Sequence, residues 1–392
     1  MKVACVGGGP ASLYFSILMK RVDPSHDITV YERNPAGSTY GWGVTYWDDL
    51  FNDLHAADPE SAREISGNSV SWVDWVVHVR DRATVTVQRG SQGFGIGRQT
   101  LLDILAERAR SLGVRVEYER VINHEDELPD ADLVVAGDGI NSGLRERHTE
   151  DFGTEVAVGR NPFMWLGTTK IFDAFTFAFV DTPHGWIWLY GYGFSKEHST
   201  CVVECFPETW RGLGFDRSNE ADSLAVLEKL FADVLDGNML IGRAQDDGTA
   251  HWQTFRTLTN RTWHRGRVAL IGDAAHTTHY SVGAGTALAF GDAAGLVDSL
   301  YRAATLEDAL AHYGKARRTA IRPAQRAAHY SARWYENLRR YIDLPTEQMF
   351  ALLGQRHSGL LAHMPPRMFY RLDRAAERLD AVLSRRRRGG GH

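Results

Sequence analysis

Val3-Ala4-Cys5-Val6 is a short apolar run closed by Gly7-Gly8-Gly9, and the apolar stretch Leu13 to Met19 behind it has helical length. Asp27-Ile28-Thr29-Val30-Tyr31-Glu32 then returns to a strand pattern. Strand, tight turn, helix, strand is a βαβ unit, and it implies a parallel sheet. The alternation of Thr84-Val85-Thr86-Val87 predicts strands between residues 70 and 90 that stand outside that sheet. Gly97-Arg98-Gln99-Thr100 leads into a helix at Leu101 to Ala106, and Leu133 to Ala136 is a further strand ending at Gly137-Asp138-Gly139. From 151 to 260 the aromatic strands Phe172 to Phe179 and Trp186 to Tyr190, separated by turn residues, predict a mainly antiparallel sheet inserted into the parallel one. Val268 to Ile271 runs into Gly272-Asp273 and restores the α/β pattern. Helix dominates from Thr305-Leu306-Glu307-Asp308, a capping box with Asp in the usual Glu place.

Composition narrows the function. In 392 residues, 44 Lys+Arg stand against 49 Asp+Glu for a net charge of −5, which gives no drive toward nucleic acid or an anionic membrane. With 43% apolar and 24% charged residues the chain is an ordinary globular protein and not a disordered one. Cys5, Cys201 and Cys205 make no disulfide framework and no metal-ligand spacing, and Cys201 and Cys205 fall on one face of a strand as buried residues of a reducing compartment. Residues 3 to 19 carry no charge, but Gly7-Gly8-Gly9-Pro10 interrupts what a signal peptide needs as an unbroken apolar helix. The uncharged run Ala274 to Gly291 is too polar to span a bilayer, so a cytoplasmic location without membrane contact is expected.

The first βα turn, Gly7-Gly8-Gly9-Pro10-Ala11-Ser12, fits GxGxxG with Ser12 in the third glycine place. The first glycine permits the turn, the second admits a pyrophosphate, and the helix start supplies N–H groups and a positive dipole end. Glu32, at the end of the second strand, is placed to accept from ribose hydroxyls. The motif alone is compatible with NAD, with FAD, or with a glycine-rich turn of no function; its strand, helix, strand and acid context favours a dinucleotide. Asp273 arrives at the carboxyl end of an apolar strand, where it could meet a flavin's ribityl hydroxyls or cap the next helix.

With GxGxxG at Gly7 to Ser12, Gly137-Asp138-Gly139 with Arg145 downstream, and Gly272-Asp273 in that order, the chain resembles the single-component flavoprotein aromatic hydroxylases of the p-hydroxybenzoate hydroxylase class. Tyr31-Glu32-Arg33-Asn34, Gly41-Trp42-Gly43-Val44, Gly95-Ile96-Gly97-Arg98, Trp165 to Lys170, Phe172 to Phe177 and His276 to Ser281 are similar to the salicylyl-CoA 5-hydroxylase and anthraniloyl-CoA monooxygenase group, to which a violacein-pathway tryptophan hydroxylase is related. The resemblance covers roughly residues 1 to 345. It implies a Rossmann-like FAD-binding domain of residues 1–70, 91–150 and 261–300 and a mainly antiparallel substrate-binding sheet domain of 71–90 and 151–260. C-terminal helices over 301–384 and a disordered basic tail over 385–392 complete the expected organisation.

By that resemblance Gly7, Gly9, Pro10, Ala11, Ser12, Glu32 and Arg33 hold the adenosine half of FAD. Arg98 lies along the ribityl and pyrophosphate side, Asp138 near the pyrophosphate and the nicotinamide approach, and Gly272 and Asp273 on the pyrophosphate and ribityl chain. The loop from His279 to Thr286, with Gly283 and Gly285, passes the isoalloxazine edge. This chain has Tyr280 and Gly283-Ala284-Gly285 where the class has Pro and Gly-Gln-Gly, and Ala287 and Gly291-Asp292 where the acyl-CoA group has Lys and Glu-Asp.

The implied reaction is hydroxylation of an electron-rich, salicylate- or anthranilate-like ring, free or as a CoA or carrier-protein thioester. NADPH or NADH reduces FAD, and dioxygen reacts through a flavin C4a-hydroperoxide. His279, Tyr280 and Tyr190 are the candidates for handling the substrate's proton, with local backbone satisfaction the plainer role for His279 and core packing the plainer role for the strand aromatics. Alternatives on the same fold are hydroxylation of a free indole or phenolic intermediate, a reductase, and a halogenase. Trp186-Ile187-Trp188-Leu189 resembles the halogenase WxWxIP signature without its Ile-Pro.

Overall fold

The structure, a computed structural model, describes residues 1–39, 41–80, 85–243, 250–351 and 364–376. It is a mixed α/β chain with two sheets. In chain order the first elements are β1 (Lys2–Val6), α1 (Pro10–Val22), β2 (Asp27–Tyr31), β3 (Gly43–Trp47), α2 (Asp48–Ala57) and α3 (Pro59–Gly67). There follow β4 (Val70–Val79), β5 (Val85–Gly97), α4 (Arg98–Ser111), β6 (Arg115–Glu117), β7 (Leu133–Ala136), α5 (Gly143–Arg147) and α6 (Thr149–Phe152). The aromatic segment holds β8 (Thr154–Thr168), β9 (Phe175–Thr182), β10 (Gly185–Gly193) and β11 (Ser199–Cys205), then α7 (Pro207–Gly212), α8 (Glu220–Leu230) and α9 (Ala232–Leu235). The last strands are β12 (Leu240–Ile241), β13 (Gln253–Asn260), β14 (His264–Arg265) and β15 (Val268–Leu270), before α10 (Gly285–Arg302), α11 (Leu306–Ala320), α12 (Arg322–Glu336) and α13 (Thr346–Ala351).

The first sheet runs β14-β15-β7-β1-β2-β6 and is parallel except for the β14–β15 pair. Its inner strands read as continuous apolar runs because helices cover both faces. Every residue of α1 from Ala11 to Lys20 is buried, as expected for a helix held between the sheet and neighbouring helices. Lys20 is tolerated there because its Nζ donates to the carbonyls of Pro24 and His26, both at 2.8 Å.

The second sheet runs β12-β8-β11-β10-β9-β4-β5-β3, with β13 on β8 and one parallel pair, β4 on β9. Alternation sorts its side chains: Trp186, Trp188 and Tyr190 face the C-terminal helices, while Ile187, Leu189, Cys201, Val203 and Cys205 face α8 and α9. All three cysteines are buried and unbridged. Glycines give the aromatic rings room. A Cβ on Gly41 would lie 2.4 Å from the Trp165 ring, one on Gly167 2.6 Å from Trp42, and one on Gly43 2.4 Å from Phe194.

Several elements depart from the sequence pattern. β3 lies within the segment expected in the parallel sheet, yet it pairs antiparallel with β5 in the second sheet, Gly43 opposite Gly97. β9 begins at Phe175 because Phe172 leaves the strand to cover Gly191, whose Cβ would lie 2.4 Å from its ring. Helices α7 to α9 interrupt the segment read as sheet. The basic tail over 385–392 lies outside the described residues.

Candidate functional site

The strand order of the first sheet turns around between β1 and β7, the place where open α/β sheets bind ligands. Gly7 has φ +95°, and a Cβ there would lie 2.6 Å from the Gly137 carbonyl oxygen, so only glycine lets the ends of β1 and β7 approach. α1 begins at Pro10 with Gly9 as its N-cap and no side-chain cap, so no side chain takes its first-turn N–H groups. Ser12 is fully buried and turned away from that opening: a Cβ on Gly137 would lie 2.2 Å from its Oγ. Gly137 therefore supplies the space that the third glycine would have supplied.

Glu32 follows β2 and accepts from the Gly8 N–H at 2.7 Å and from the N–H and Nδ2 of Asn34 at 2.8 and 2.7 Å. A carboxylate offers roughly four acceptor positions, so about one remains for a ribose hydroxyl. Arg33 crosses above, its Nη2 donating to the Asp138 carbonyl at 3.4 Å. Asp138 Oδ2 accepts from the Gly143 N–H at 2.9 Å, while Oδ1 is buried with no hydrogen-bond partner among the described residues. Burial raises the Asp138 carboxyl pKa, against the pull of Ser142, Gly143 and Arg145. Arg145, itself buried, joins this loop to the next: Nη2 donates to the Ile140 carbonyl at 2.6 Å and Nη1 to the Ala274 carbonyl at 3.2 Å.

That next loop carries Gly272 and Asp273. A Cβ on Gly272, whose φ is +60°, would meet the Cβ of Ala11 at 3.0 Å, which sets the loop against the first turn of α1. Asp273 reaches solvent, yet protein surrounds its carboxyl closely enough that desolvation raises its pKa; Arg98 and His276 oppose the shift and Asp292 adds to it. Accessible and desolvated at once describes a group deep in a crevice, and Arg98 stands in the same place at the start of α4.

The loop is held from behind by Asp292 of α10, a fully buried carboxylate that sequence reasoning did not select. It accepts from the Gly272 N–H at 3.1 Å, His276 Nε2 at 2.8 Å and Arg317 Nε at 2.9 Å. His276 stacks on Trp263, ring centroids 4.9 Å apart. The one available signal was a carboxylate in the middle of a largely apolar helix, well away from Asp298 near its end.

Beyond Asp273 the chain turns toward the second sheet. His279 caps the 3₁₀ turn Tyr280–Val282, its Nδ1 2.8 Å from Ser281 Oγ, and burial lowers its pKa to about 3. It is therefore neutral and engaged with its own loop. Tyr280 packs on Phe163 at 4.4 Å, Phe255 at 5.8 Å and Tyr190 at 5.9 Å. Its hydroxyl donates to Glu204 Oε2 at 2.6 Å, and Asn161 Nδ2 donates to Oε1 at 2.7 Å. Glu204 sits on the aromatic face of β11, and burial pushes its pKa up to about 7. Burial also holds Tyr190 and Tyr280 well above the ordinary tyrosine range. Gly283, φ +61°, faces Thr45 of β3, whereas Gly285 at the start of α10 has open space around it, with Thr286 half-buried beside it.

Nearby, Phe175 forms an aromatic surface with Trp75 at 5.4 Å, Tyr192 at 5.4 Å and Tyr190 at 6.2 Å. Trp188 is fully buried between Phe206 at 5.4 Å and Tyr335 at 5.8 Å, a packing position. His124, Glu125 and His148 come within ligand-like distance of one another elsewhere, but Arg265 Nη1 already stands 3.2 Å from Glu125. Among the described residues no helix is long and apolar enough to cross a membrane.

The tight turn that Gly7 permits, the helix start without a side-chain cap, the open acceptor position of Glu32 and the orphaned Oδ1 of Asp138 fit the pyrophosphate and ribose of FAD. The FAD binding domain family matches residues 88–328. Salicyloyl-CoA 5-hydroxylase of Streptomyces sp is 37% identical over 90% of this chain and 69% of its own. The 3-hydroxy-4-methyl-anthranilyl-[aryl-carrier protein] 5-monooxygenase of Streptosporangium sibiricum is 34% identical over 91% and 94%. The solved structure of 2-methyl-3-hydroxypyridine-5-carboxylic acid oxygenase superposes with a TM-score of 0.71 at 21% identity, over 93% of this chain and 97% of the other, and so shares the fold.

Proposed function

The chain belongs to the FAD binding domain family, and from that premise we propose that it hydroxylates a salicylate- or anthranilate-like ring presented as a thioester, using dioxygen and NADH or NADPH. One observation carries the reading: the stretch from Gly272 to Gly285 begins in the dinucleotide crevice at Asp273 and ends against the aromatic surface at Tyr280. A single loop thus borders both the cofactor crevice and an aromatic surface.

FAD, once bound and reduced, supplies the oxygen-activating chemistry. The start of α1 receives the pyrophosphate, Glu32 and Arg33 the adenosine side, and Arg98 and Asp273 the ribityl chain. The aromatic wall around Phe175 and Tyr190 takes the substrate ring and keeps water out. Tyr280 Oη holds its proton on Glu204 Oε2, which fixes the phenol and leaves Tyr190 Oη as the group that meets the proton of a ring hydroxyl or amine.

Purified protein is expected to be yellow and to consume NAD(P)H faster when salicyloyl- or anthraniloyl-CoA is added, with hydroxylated product accumulating. A colourless protein, or a flavin whose reduction no aromatic compound accelerates, overturns the reading. Halide-dependent turnover points instead to the halogenase alternative.

A further inference from the structure

α12 has two unlike faces. Ala328, Ser331 and Tyr335 are buried, and Ser331 Oγ lies 2.7 Å from Ser281 Oγ, so this face closes on the turn that carries Tyr280. Arg322, Arg326, His329 and Arg333 are exposed on the other side at spacings of four, three and four, a single basic stripe about 16 Å long. None of its three arginines pairs with a carboxylate among the described residues. Arg322, Gln325, Arg326, His329 and Tyr330 line a shallow, solvent-open hollow of about 360 Å³ on the helix surface, and Tyr330 is half-buried at it with its ring 5.7 Å from that of His329.

Unpaired guanidinium groups around a concavity are suited to phosphate, and a half-buried tyrosine offers a face for a base. The concavity lies roughly one helix diameter, about 10 Å, from the loop bordering the aromatic surface. Resting on the thioester reading above, we propose that this outer face of α12 binds the nucleotide end of coenzyme A: Arg322 and Arg326 take the 3′-phosphate and diphosphate, and Tyr330 lies against the adenine. The pantetheine arm then crosses the edge of α12 to bring the acyl ring to the Tyr280 side. The charge is local, so the site needs no basic field from the whole molecule.

Calorimetric titration of the flavin-loaded protein with CoA, dephospho-CoA and pantetheine decides the matter. CoA should bind more tightly than dephospho-CoA, and pantetheine most weakly. R322Q/R326Q should weaken CoA about tenfold or more while leaving pantetheine unchanged, since the guanidinium–phosphate hydrogen bonds lost are charge-assisted. R63Q, which removes an exposed arginine far along the chain, should bind CoA as the unsubstituted protein does. Equal affinity for CoA and pantetheine, or unchanged CoA affinity in R322Q/R326Q, overturns the site. Tight CoA binding without turnover of any aromatic thioester would instead sink the functional reading and leave the site standing; turnover with an unchanged KM in R322Q/R326Q would do the reverse.

Discussion

Glu204 shows how much one buried side chain sets at the residue scale. Its carboxyl, ordinarily ionised above about 4.5, is held by burial at about 7 despite donors from Tyr280 and Asn161. A folded pKa above the unfolded one means that the stabilising difference is complete below pH 4.5 and is lost as pH rises through 7. Glu204→Gln does not titrate, so relative to the unsubstituted protein it should gain roughly 3 kcal/mol between pH 4.5 and 8. Urea unfolding across that range checks this, and a difference that does not change with pH would refute it. Ser12 offers a second, steric test. Gly137→Ala should cost about 1–3 kcal/mol because its Cβ meets Ser12 Oγ, and adding Ser12→Gly should recover much of the loss in thermal unfolding. Failure of that rescue would mean that Ile271, whose Cγ2 is 3.1 Å away, sets the limit instead. The sequence displayed Ser12 as a flaw in a motif; the glycine that accommodates it lies just past the end of another strand, β7, which no local pattern reveals.

At the scale of elements, two buried carboxylates do different work. Asp292 ties α10 and α11 to the Gly272 loop, while Asp58 caps α3 and accepts from Arg21 of α1 at 2.8 Å and from Arg108 Nη2 of α4 at 2.9 Å. Burial alone would raise the Asp58 pKa, but Arg108, Ser61 and Arg21 hold it below the ordinary carboxylate range. Arg21 lies near the end of α1 remote from Gly9, about 20 Å along the 13-residue helix. Either carboxylate changed to Ala should therefore destabilise by about 3–5 kcal/mol, but only Asp292→Ala should weaken flavin retention in the molecules that remain folded. Equal flavin affinity in the two variants, measured by fluorescence titration at low temperature, would show that the Gly272 loop keeps its shape without Asp292. Strands such as β1, β7 and β10 were legible because apolar runs and alternation encode them locally. Helices α7 to α9 were not, since an aromatic-rich context masked Asn219, whose side chain caps α8 by accepting from the Asp222 N–H at 2.8 Å.

Across the whole molecule, the two sheets meet through β3 and the Gly272 to Gly285 loop. β3 looked like part of the parallel fold by sequence position, but its pairing with β5 is a tertiary fact, and it brings Thr45 against Gly283. The cofactor region is therefore built from three loops that carry little hydrogen-bonded secondary structure of their own, whereas β10 and β11 are sheet strands buried along almost their whole length. Removing flavin should loosen the loops without loosening the strands. At free flavin one hundred times its dissociation constant the linkage is about 2.7 kcal/mol, large enough to read by hydrogen exchange. Stripping the cofactor should raise exchange at residues 7–12, 138–143 and 272–286 and leave β10 and β11 unchanged, with readdition of FAD restoring protection. Loosening spread evenly through β10 and β11 would mean that the flavin contributes to the second sheet's packing and that the crevice at β1 and β7 is not its principal seat.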